Sequence, residues 1–374
     1  MTTILYMTEI IFDSGASRKV QTHLDDCGIR RPFVVTDAGL MQAGIAPQIL
    51  SHLRGDADPT VYDQTPSNPT EDAVGEAAAQ YRAAQCDGIL AIGGGSPLDL
   101  AKGVALLVSH AGHLTQFAGM TPLSKIGPTV PIVAVPTTAG TGSEVGRGAL
   151  IRLGDGRKLL IASPHLLPRR AVCDPELTLG LPRSLTVGTG MDALTHCIET
   201  YLSPRINPPA DAIALDGIGR AWHWIEPAAD NGANLKARWE MMMAGIQGGL
   251  CFQKGLGAVH ALSHPLGAIA SLNLHHGTLN AILLPSVLRF NELVCAEKYA
   301  RIRTVCGLPP GADLSEAVNQ LNHRLGVPSS LAELGVGPDH TESVVAGALA
   351  DHSVPTNPRT LDRDALLGLL RDVG

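Results

Sequence analysis

The first half of the chain alternates short apolar runs with segments whose apolar residues recur every three or four positions. The predicted strands are Pro32–Asp37, Gly88–Ile92 and the runs in TVYDQTP and TVPIVAVP, and the predicted helices are Ala16–Cys27, Thr70–Gln85 and one that follows the glycines at 93–95. Strands and helices at this spacing predict an α/β fold with a Rossmann-like, mostly parallel sheet. Two further β-like runs, Thr3–Tyr6 and Ile10–Phe12, precede it.

Beyond Gly180 the strand pattern fades and long helical patterns follow one another. They are Leu185–Leu202, Asp211–Trp224, Leu235–Gly249, Gly257–Leu266, Thr278–Asn291 and several toward the C-terminus. The sequence therefore predicts an α/β domain at residues 1–180 and an all-helical domain at residues 181–374.

Composition and charge exclude several classes of function. The 374 residues carry a net charge of −7 and no block of basic residues, so nucleic acid is not an expected partner. No apolar run approaches the roughly 18 residues of a membrane span, which predicts a soluble protein with no membrane partner. Seven scattered cysteines without a CxxC pair favour reduced thiols and a cytoplasmic location.

Glycines and a carboxylate stand at strand ends, where a dinucleotide would bind. Ser96 is predicted as the N-cap of a helix with Pro97 in its first position, and a pyrophosphate fits that helix N-terminus. Gly94, Gly95 and Ser96 are therefore candidate cofactor-binding residues. Asp37 can bind the adenosine ribose hydroxyls and repel a 2′-phosphate, which favours NAD over NADP. The alternative for Asp37 is a helix cap.

The loop TTAGTGSEVG follows the next predicted strand and is rich in hydroxyl groups. Its threonines Thr137, Thr138 and Thr141 could donate hydrogen bonds to phosphate and ribose oxygens. An ordinary capped loop is the alternative interpretation.

Two pairs of residues four positions apart suggest a metal site. Asp192 and His196 share one helix face, and so do His260 and His264. Together with His276, in a turn beside a glycine, these pairs offer four imidazoles and one carboxylate. A site with three of the imidazoles and the carboxylate would suit Fe(II) or Zn(II) and not calcium or magnesium. The alternative is that these are core histidines whose nitrogens bond to backbone carbonyls.

Several segments resemble those of the iron-containing (group III) alcohol dehydrogenases, in the same order from about Val34 to Asn291. They are GGGSPLDLAK, PTTAGTGSEV, MDALTHCIETYLS, GAVHALSHPLGA and HHGTLNAILLP. The resemblance implies that the metal ligands are Asp192, His196, His260 and His276, and that His264 lies beside the nicotinamide. It also assigns the three threonines, Asn68 and Lys158 to the cofactor.

The resemblance further implies a reaction, a hydride transfer between NAD(H) and a small alcohol/aldehyde or ketone pair. Fe²⁺ is the expected metal and Zn²⁺ the alternative, with the substrate oxygen bound to the ion. The expected place for the chemistry is a cleft between the two domains, and the expected assembly is a homodimer or a larger homo-oligomer.

The chain departs from the family pattern at three places. Gly146 stands where the family usually has a threonine, FQKGLGAVH is one residue shorter than usual before His260, and the segment between His264 and His276 is two residues longer. His275 takes the place of a common proline and so competes with His276 as the fourth ligand. The Gly277 that follows His276 favours His276.

Three other functions compete with this interpretation. Maleylacetate-type reductases have a similar layout but can act without a metal, and the four ligand positions argue against them. Dehydroquinate-synthase-like lyases need a strongly basic pocket, whereas the expected cleft segments contain few cations besides Lys254. A non-enzymatic NAD- or metal-binding scaffold would leave the open metal position without a purpose.

Overall fold

The computed structural model describes residues 6, 8–54, 59–118 and 125–374, so most of the β-like run Thr3–Tyr6 lies outside the described residues. These residues form two compact units. The first contains the described residues between 6 and 138 together with residues 143–179, and the second contains Ala139–Gly142 and Gly180–Gly374. The predicted domain limits, 1–180 and 181–374, stay a prediction, because a compact unit is not yet a domain that folds on its own.

The first unit is an α/β structure. Its strands are β1 (Glu9–Phe12), β2 (Pro32–Val35), β3 (Thr60–Tyr62), β4 (Gly88–Gly93), β5 (Ile132–Pro136), β6 (Gly148–Arg152), β7 (Lys158–Ala162) and β8 (Arg170–Cys173). Its helices are α1 (Val20–Asp26), α2 (Ala38–Gln42), α3 (Ile45–Leu50), α4 (Glu71–Ala83) and α5 (Gly95–Ser109). Six strands pair in the order β1-β8-β5-β4-β2-β3, all parallel, while β6 and β7 form a separate antiparallel hairpin.

The parallel sheet is buried on both faces, which explains why its strands are almost continuously apolar. Phe33 and Val35 of β2 pack into a cluster with α4 and α5. Val34, between them, points to the other face and packs into a cluster with α1 and α3. This alternation follows from the two-residue period of a strand.

The second unit contains only helices between residues 181 and 374, all of which the structure describes. They are α6 (Arg183–Leu202), α7 (Pro208–Asp230), α8 (Leu235–Cys251), α9 (Ala258–Gly267), α10 (His276–Asn291), α11 (Ala296–Val305), α12 (Leu314–Leu325), α13 (Thr341–Leu349) and α14 (Arg363–Arg371). Helix α6 is buried from Thr186 to its end, and α7, α8 and α10 pack against it. The predicted fold class, a parallel α/β sheet followed by an all-helical region, is confirmed.

The predicted start of α5 is wrong by two residues. The N-cap is Gly94, so Ser96 lies inside the helix and its hydroxyl donates to the Ser67 carbonyl. The early start depends on Gly93, whose φ is 153° and whose missing Cβ would lie 2.5 Å from the Pro97 ring. The chain therefore turns from β4 directly into the helix. The hairpin of β6 and β7 has no counterpart among the predicted strands.

Among the helices that the structure describes, none combines the length and the apolar character that crossing a bilayer requires.

Candidate metal centre and cofactor-binding residues

Four residues of the helical unit bring one metal-ligating atom each into a single cluster. Asp192 and His196 lie one turn apart on α6, His260 is in the first turn of α9, and His276 is the first residue of α10. Their ligand atoms all lie within 4.8 Å of one another. The structure thus brings together the four residues that the sequence nominated as ligands, and their role as ligands stays a prediction.

The distances within the cluster fit a single divalent ion. The Oδ1 atom of Asp192 lies 3.5 Å from Nε2 of His196, 3.8 Å from Nε2 of His260 and 3.7 Å from Nε2 of His276. Two ligands of a tetrahedral ion with bonds of about 2.1 Å would be about 3.4 Å apart. Asp192, His196 and His260 are buried, whereas the His276 side chain is 26% exposed, so the cluster is open to solvent on that side.

The electrostatics of the cluster also suit a cation. Burial would raise the pKa of Asp192, but the neighbouring imidazoles, His196 first, hold it below its usual range. Burial lowers the pKa of His196 to about 4 despite the attraction of Asp192. Burial also acts to lower the pKa of His260, yet the carboxylates of Asp192 and Glu199 outweigh it and raise that pKa to about 9. A metal ion would take the place of the proton on His260.

Glu199 supports the cluster from the next turn of α6, and sequence reasoning missed it. Its carboxylate is buried and accepts hydrogen bonds from the backbone N–H groups of Gly257 (3.0 Å) and Val259 (2.7 Å) and from Nδ1 of His260 (2.6 Å). It therefore caps the N-terminus of α9 and turns Nε2 of His260 toward Asp192. The available signal was its position, three residues after His196 on the same helix face.

Asn280 is the second supporting residue that sequence reasoning missed. It is buried on α10, one turn after His276, and its Nδ2 donates to Oδ1 of Asp192 at 2.7 Å. The same nitrogen lies 3.3 Å from Nε2 of both His260 and His276. The amide thus contacts three of the four candidate ligands and fixes the direction of the Asp192 carboxylate.

The two neighbouring histidines at 275 and 276 have different environments. His275 is the N-cap of α10: its ring bonds to the backbone N–H of Thr278 (3.3 Å) and lies 3.1 Å from the Thr278 hydroxyl. His276 alone of the two lies in the four-residue cluster. Gly277 permits this arrangement, because a Cβ there would lie 2.0 Å from the carbonyl oxygen of Gly188 on α6. The geometry favours His276 over its rival.

His264 lies beside the cluster without belonging to it. Its ring is stacked on that of His276 at 5.5 Å and lies edge-on to that of His260 at 5.6 Å. Its Nδ1 is 2.8 Å from the carboxylate of Asp351. Its Nε2 is buried and has no hydrogen-bond partner within the described chain.

The candidate cofactor residues of the first unit gather at one edge of the parallel sheet. Asp37, Gly94 and Thr137 follow β2, β4 and β5, which are neighbours, and in parallel strands the carboxyl ends meet at the same edge. That edge is where open α/β sheets bind ligands. The backbone N–H of Thr137 donates to the Gly93 carbonyl at 3.0 Å, and a Cβ at Gly94 would lie 3.2 Å from the Thr138 side chain.

The other candidate cofactor residues fall into three places. Lys158 of β7 donates to Oδ1 of Asn68 at 2.8 Å, so two residues 90 positions apart are brought together. Asp37 is also the N-cap of α2, its Oδ1 accepting from the N–H of Leu40 at 2.9 Å. Thr141 belongs to the helical unit, in the segment Ala139–Gly142. There Gly140 lies against Thr189 of α6, which leaves no room for a Cβ.

Matches to known proteins cover nearly the whole chain. Residues 7–175 match the family described as iron-containing alcohol dehydrogenase, and residues 186–374 match the Fe-containing alcohol dehydrogenase family, C-terminal. The chain is 52% identical over 368 residues to a 4-hydroxybutyrate dehydrogenase of Cupriavidus necator, with 96% of each protein covered. It is 36% identical over 357 residues to a 1,3-propanediol dehydrogenase of Klebsiella pneumoniae, covering 92% of this chain and 91% of the relative.

Solved structures agree with these relatives. The crystal structure of a 1,3-propanediol oxidoreductase superposes with a TM-score of 0.93 at 35% identity and covers 100% of both chains. An alcohol dehydrogenase from Oenococcus oeni gives the same TM-score at 30% identity and equal coverage. The resemblance to the iron-containing alcohol dehydrogenases is therefore confirmed, and the alternative of a non-enzymatic scaffold is excluded. The chain belongs to the iron-containing alcohol dehydrogenase family and is an oxidoreductase of that type.

Proposed function

We propose that the protein is an NAD- and metal-dependent dehydrogenase that interconverts a short primary alcohol and its aldehyde. The observation that carries the proposal is the cluster of one carboxylate and three imidazoles, whose candidate ligand atoms lie within 4.8 Å of one another, in the part of the chain that matches the C-terminal region of the family. Fe²⁺ is the proposed ion and Zn²⁺ the alternative, since nitrogen ligands with one carboxylate suit both.

The names of the relatives limit the range of candidate substrates. 4-Hydroxybutyrate and 1,3-propanediol are both short primary alcohols with a second oxygen-bearing group at the far end of the carbon chain. We infer that this chain acts on alcohols of that kind, with 4-hydroxybutyrate as the first candidate because that relative is 52% identical.

Each residue has a distinct part in this proposal. A divalent cation held by Asp192, His196, His260 and His276 would polarise the oxygen of a bound alcohol, while bound NAD would accept the hydride from the carbinol carbon. Glu199 and Asn280 hold two of the ligands in orientation. His264 offers a nitrogen beside the cluster that can position the nicotinamide or relay a proton.

The residues at the sheet edge bind the dinucleotide in the same proposal. The N–H groups at the start of α5, at Gly95 and Ser96, suit the pyrophosphate because a helix N-terminus attracts negative charge.

Asp37 binds the adenosine ribose and disfavours NADP. The substitution Asp37→Asn tests this role, because it keeps an oxygen for the Leu40 N–H while it removes the charge. Improved use of NADP at unchanged thermal stability supports the role, and unchanged coenzyme preference leaves Asp37 as a helix cap only.

The structure gives one argument against the lyase alternative. Lys254, the main cation of the expected cleft segments, is fully buried, is paired with Asp211 and donates to the carbonyl of Tyr201. It is therefore not placed to bind a phosphorylated substrate.

We also propose that the protein forms a homo-oligomer and is located in the cytoplasm. All seven cysteines are free thiols, as a reducing compartment would require. Size-exclusion chromatography with light scattering tests the assembly, and fractionation of the native host tests the location.

A substrate panel with and without chelator tests the function. The panel contains 4-hydroxybutyrate, 1,3-propanediol, ethanol and maleylacetate, with NAD(H) or NADP(H), before and after metal removal. We expect NAD-linked oxidation of the first two, its loss on chelation and its return with Fe²⁺ or Zn²⁺. Turnover that is indifferent to chelation, or turnover of maleylacetate alone, would overturn the proposal. Asp192→Asn should abolish metal binding, whereas the exposed Asp230→Asn should not.

A further inference from the structure

We propose that Asp351 is a positioning residue: it holds His264 in the tautomer whose Nε2 carries the free lone pair, so that this nitrogen accepts a hydrogen bond from the hydroxyl of the bound alcohol. The inference rests on the proposed function for the identity of the alcohol. The orientation of His264 itself follows from contacts within the helical unit.

The first argument is the placement of Asp351, 87 positions away from His264 in the chain. Asp351 follows α13, which packs against α9. The two helices come close at Gly347, where a Cβ would lie only 2.8 Å from Cβ of Pro265. Oδ2 of Asp351 lies 2.8 Å from Nδ1 of His264, and both side chains are at least nine-tenths buried. Oδ1 accepts from the backbone N–H of Ser353 at 2.8 Å, so the carboxylate is itself held in place.

The second argument is the tautomer that this contact requires. An ionised carboxylate only accepts hydrogen bonds, so Nδ1 of His264 must carry the hydrogen, and Nε2 of the neutral ring then has a lone pair. Burial acts to raise the pKa of Asp351, but the contacts with His264, His352 and the Ser353 N–H together keep that pKa below its usual range, which supports the ionised form. Nε2 has no partner within the described chain although it is buried. A buried nitrogen without a partner is costly, so a ligand is the expected partner.

The third argument is mechanical. The His264 ring is stacked on two nearly parallel imidazoles, with centroid distances and interplanar angles of 5.5 Å and 9° for His276 and of 5.5 Å and 16° for His352. Stacking restrains the plane of a ring but still permits a 180° flip about the Cβ–Cγ bond, which exchanges the position of Nδ1 with that of Cδ2 and the position of Nε2 with that of Cε1. The bond from Nδ1 to Asp351 selects one of these two orientations and so fixes the direction of Nε2.

A second cation site is the rival interpretation, since His264, Asp351 and His352 also bring three ligating atoms within 4.8 Å of one another. The distance of 2.8 Å between Nδ1 and Oδ2 favours the hydrogen bond, because two ligands of one tetrahedral ion would be about 3.4 Å apart. More than one bound metal per chain in the wild-type holoenzyme, falling to one in Asp351→Asn, would favour the rival and overturn the proposal.

A double-mutant cycle on the holoenzyme separates positioning from a structural role. Asp351→Asn should lower kcat at least tenfold while the bound metal and the KM for NAD stay within twofold of wild type. In a His264→Ala background the same change should lower kcat no further. The control is Asp339→Asn, which removes an exposed carboxylate just before α13 and should change nothing. Additive losses, or wild-type kcat in Asp351→Asn, would reject the inference.

A second measurement is independent of turnover. Long-range ¹H–¹⁵N spectra of histidine-labelled, Zn²⁺-loaded protein report which ring nitrogen carries the hydrogen, and His264→Gln identifies the His264 signals. We expect the Nδ1–H form in wild type and a mixture in Asp351→Asn, or in Asp351→Ser if the first variant does not fold. An Nε2–H form in wild type would refute the proposal even if the alcohol panel gave no activity. Activity on the panel without this tautomer would refute the inference alone and leave the proposed function standing.

Discussion

At the scale of single residues, the candidate metal centre depends on side chains that touch its ligands as much as on the ligands themselves. Glu199 accepts three hydrogen bonds, two from the start of α9 and one from His260. An imidazole ligand whose second nitrogen bonds to a carboxylate keeps one tautomer and one ring orientation. The carboxylate therefore sets both the helix start and the direction of the ligand that the helix carries.

The substitution Glu199→Gln should weaken metal binding roughly 10- to 100-fold, as losses of such supporting contacts typically do. An amide keeps the size of the side chain but turns an N–H₂ group toward one of the three donors. Metal competition with a calibrated chelator measures the effect. The matched control is Glu226→Gln, whose carboxylate pairs with Arg324 on the surface, and it should leave the affinity unchanged. Equal metal affinities in the two variants would show that Glu199 only caps the N-terminus of α9 and does not support metal binding.

Glu144 gives a prediction about stability and pH. Burial raises its pKa from 4.5 to about 7, against its own backbone N–H and the charge of Lys102. Between these two values the folded protein binds more protons than the unfolded chain, so the free energy of unfolding falls as the pH rises through this window and stays lower above it. Glu144→Gln should remove this decrease, which is on the order of a few kcal/mol. Urea unfolding at pH 5 and pH 8 measures it, and an unchanged pH dependence would refute the assignment.

At the scale of elements, the close approach of α10 to α6 holds His276 next to Asp192. Gly277 has no side chain between the two helices, and a Cβ there would also come within 3.3 Å of Cβ of Asp192. Because the clash would be with backbone atoms of α6, the helices would have to separate. Gly277 is therefore needed for the geometry of the candidate metal centre as well as for helix packing.

Gly277→Ala should destabilise the protein by about 1–3 kcal/mol, as overpacking does, and should weaken metal binding. Gly368→Ala is the matched control, since it is also in a helix but a Cβ there meets nothing within 4 Å. That variant should be neutral or more stable by up to about 1 kcal/mol. Thermal unfolding and metal titration of the two variants measure the contrast. A Gly277→Ala protein that binds metal like wild type would show that α10 can shift without moving His276.

Local patterns predicted the elements well and their ends less well. The predicted helix at Leu185–Leu202 begins at Arg183, and the one at Asp211–Trp224 extends over Pro208–Asp230. Periodicity identifies the apolar face of a helix, but polar end turns do not contribute to it. At α5 the proline pointed to a later start than the glycines before it allow, because the conformation of Gly93 is not visible in a sequence pattern.

At the scale of the whole molecule, the sequence predicted contacts between residues that are close together in the chain and missed those between residues that are far apart in it. The pairs Asp192–His196 and His260–His264 follow from helical spacing within one element. The contact of Glu199 with His260 spans 61 positions and that of Asn280 with Asp192 spans 88. Such contacts depend on how α6, α9 and α10 pack, which a single sequence does not specify. Family resemblance supplied the set of four candidate ligands, and the folded chain showed which residues hold them in place.

Because the four candidate ligands come from three helices, metal binding should stabilise the whole helical unit. An ion that binds only the folded protein adds RT ln(1 + [M]/Kd), which is about 2.7 kcal/mol at a free concentration 100 times Kd. Fe²⁺ under anaerobic conditions, or Zn²⁺, should therefore raise the Tm of metal-free protein in proportion to the logarithm of its concentration. Asp192→Asn should lose this rise, and Asp230→Asn should keep it. A Tm that does not respond to either ion in the wild type would mean that three helices meeting at one carboxylate do not form a metal centre.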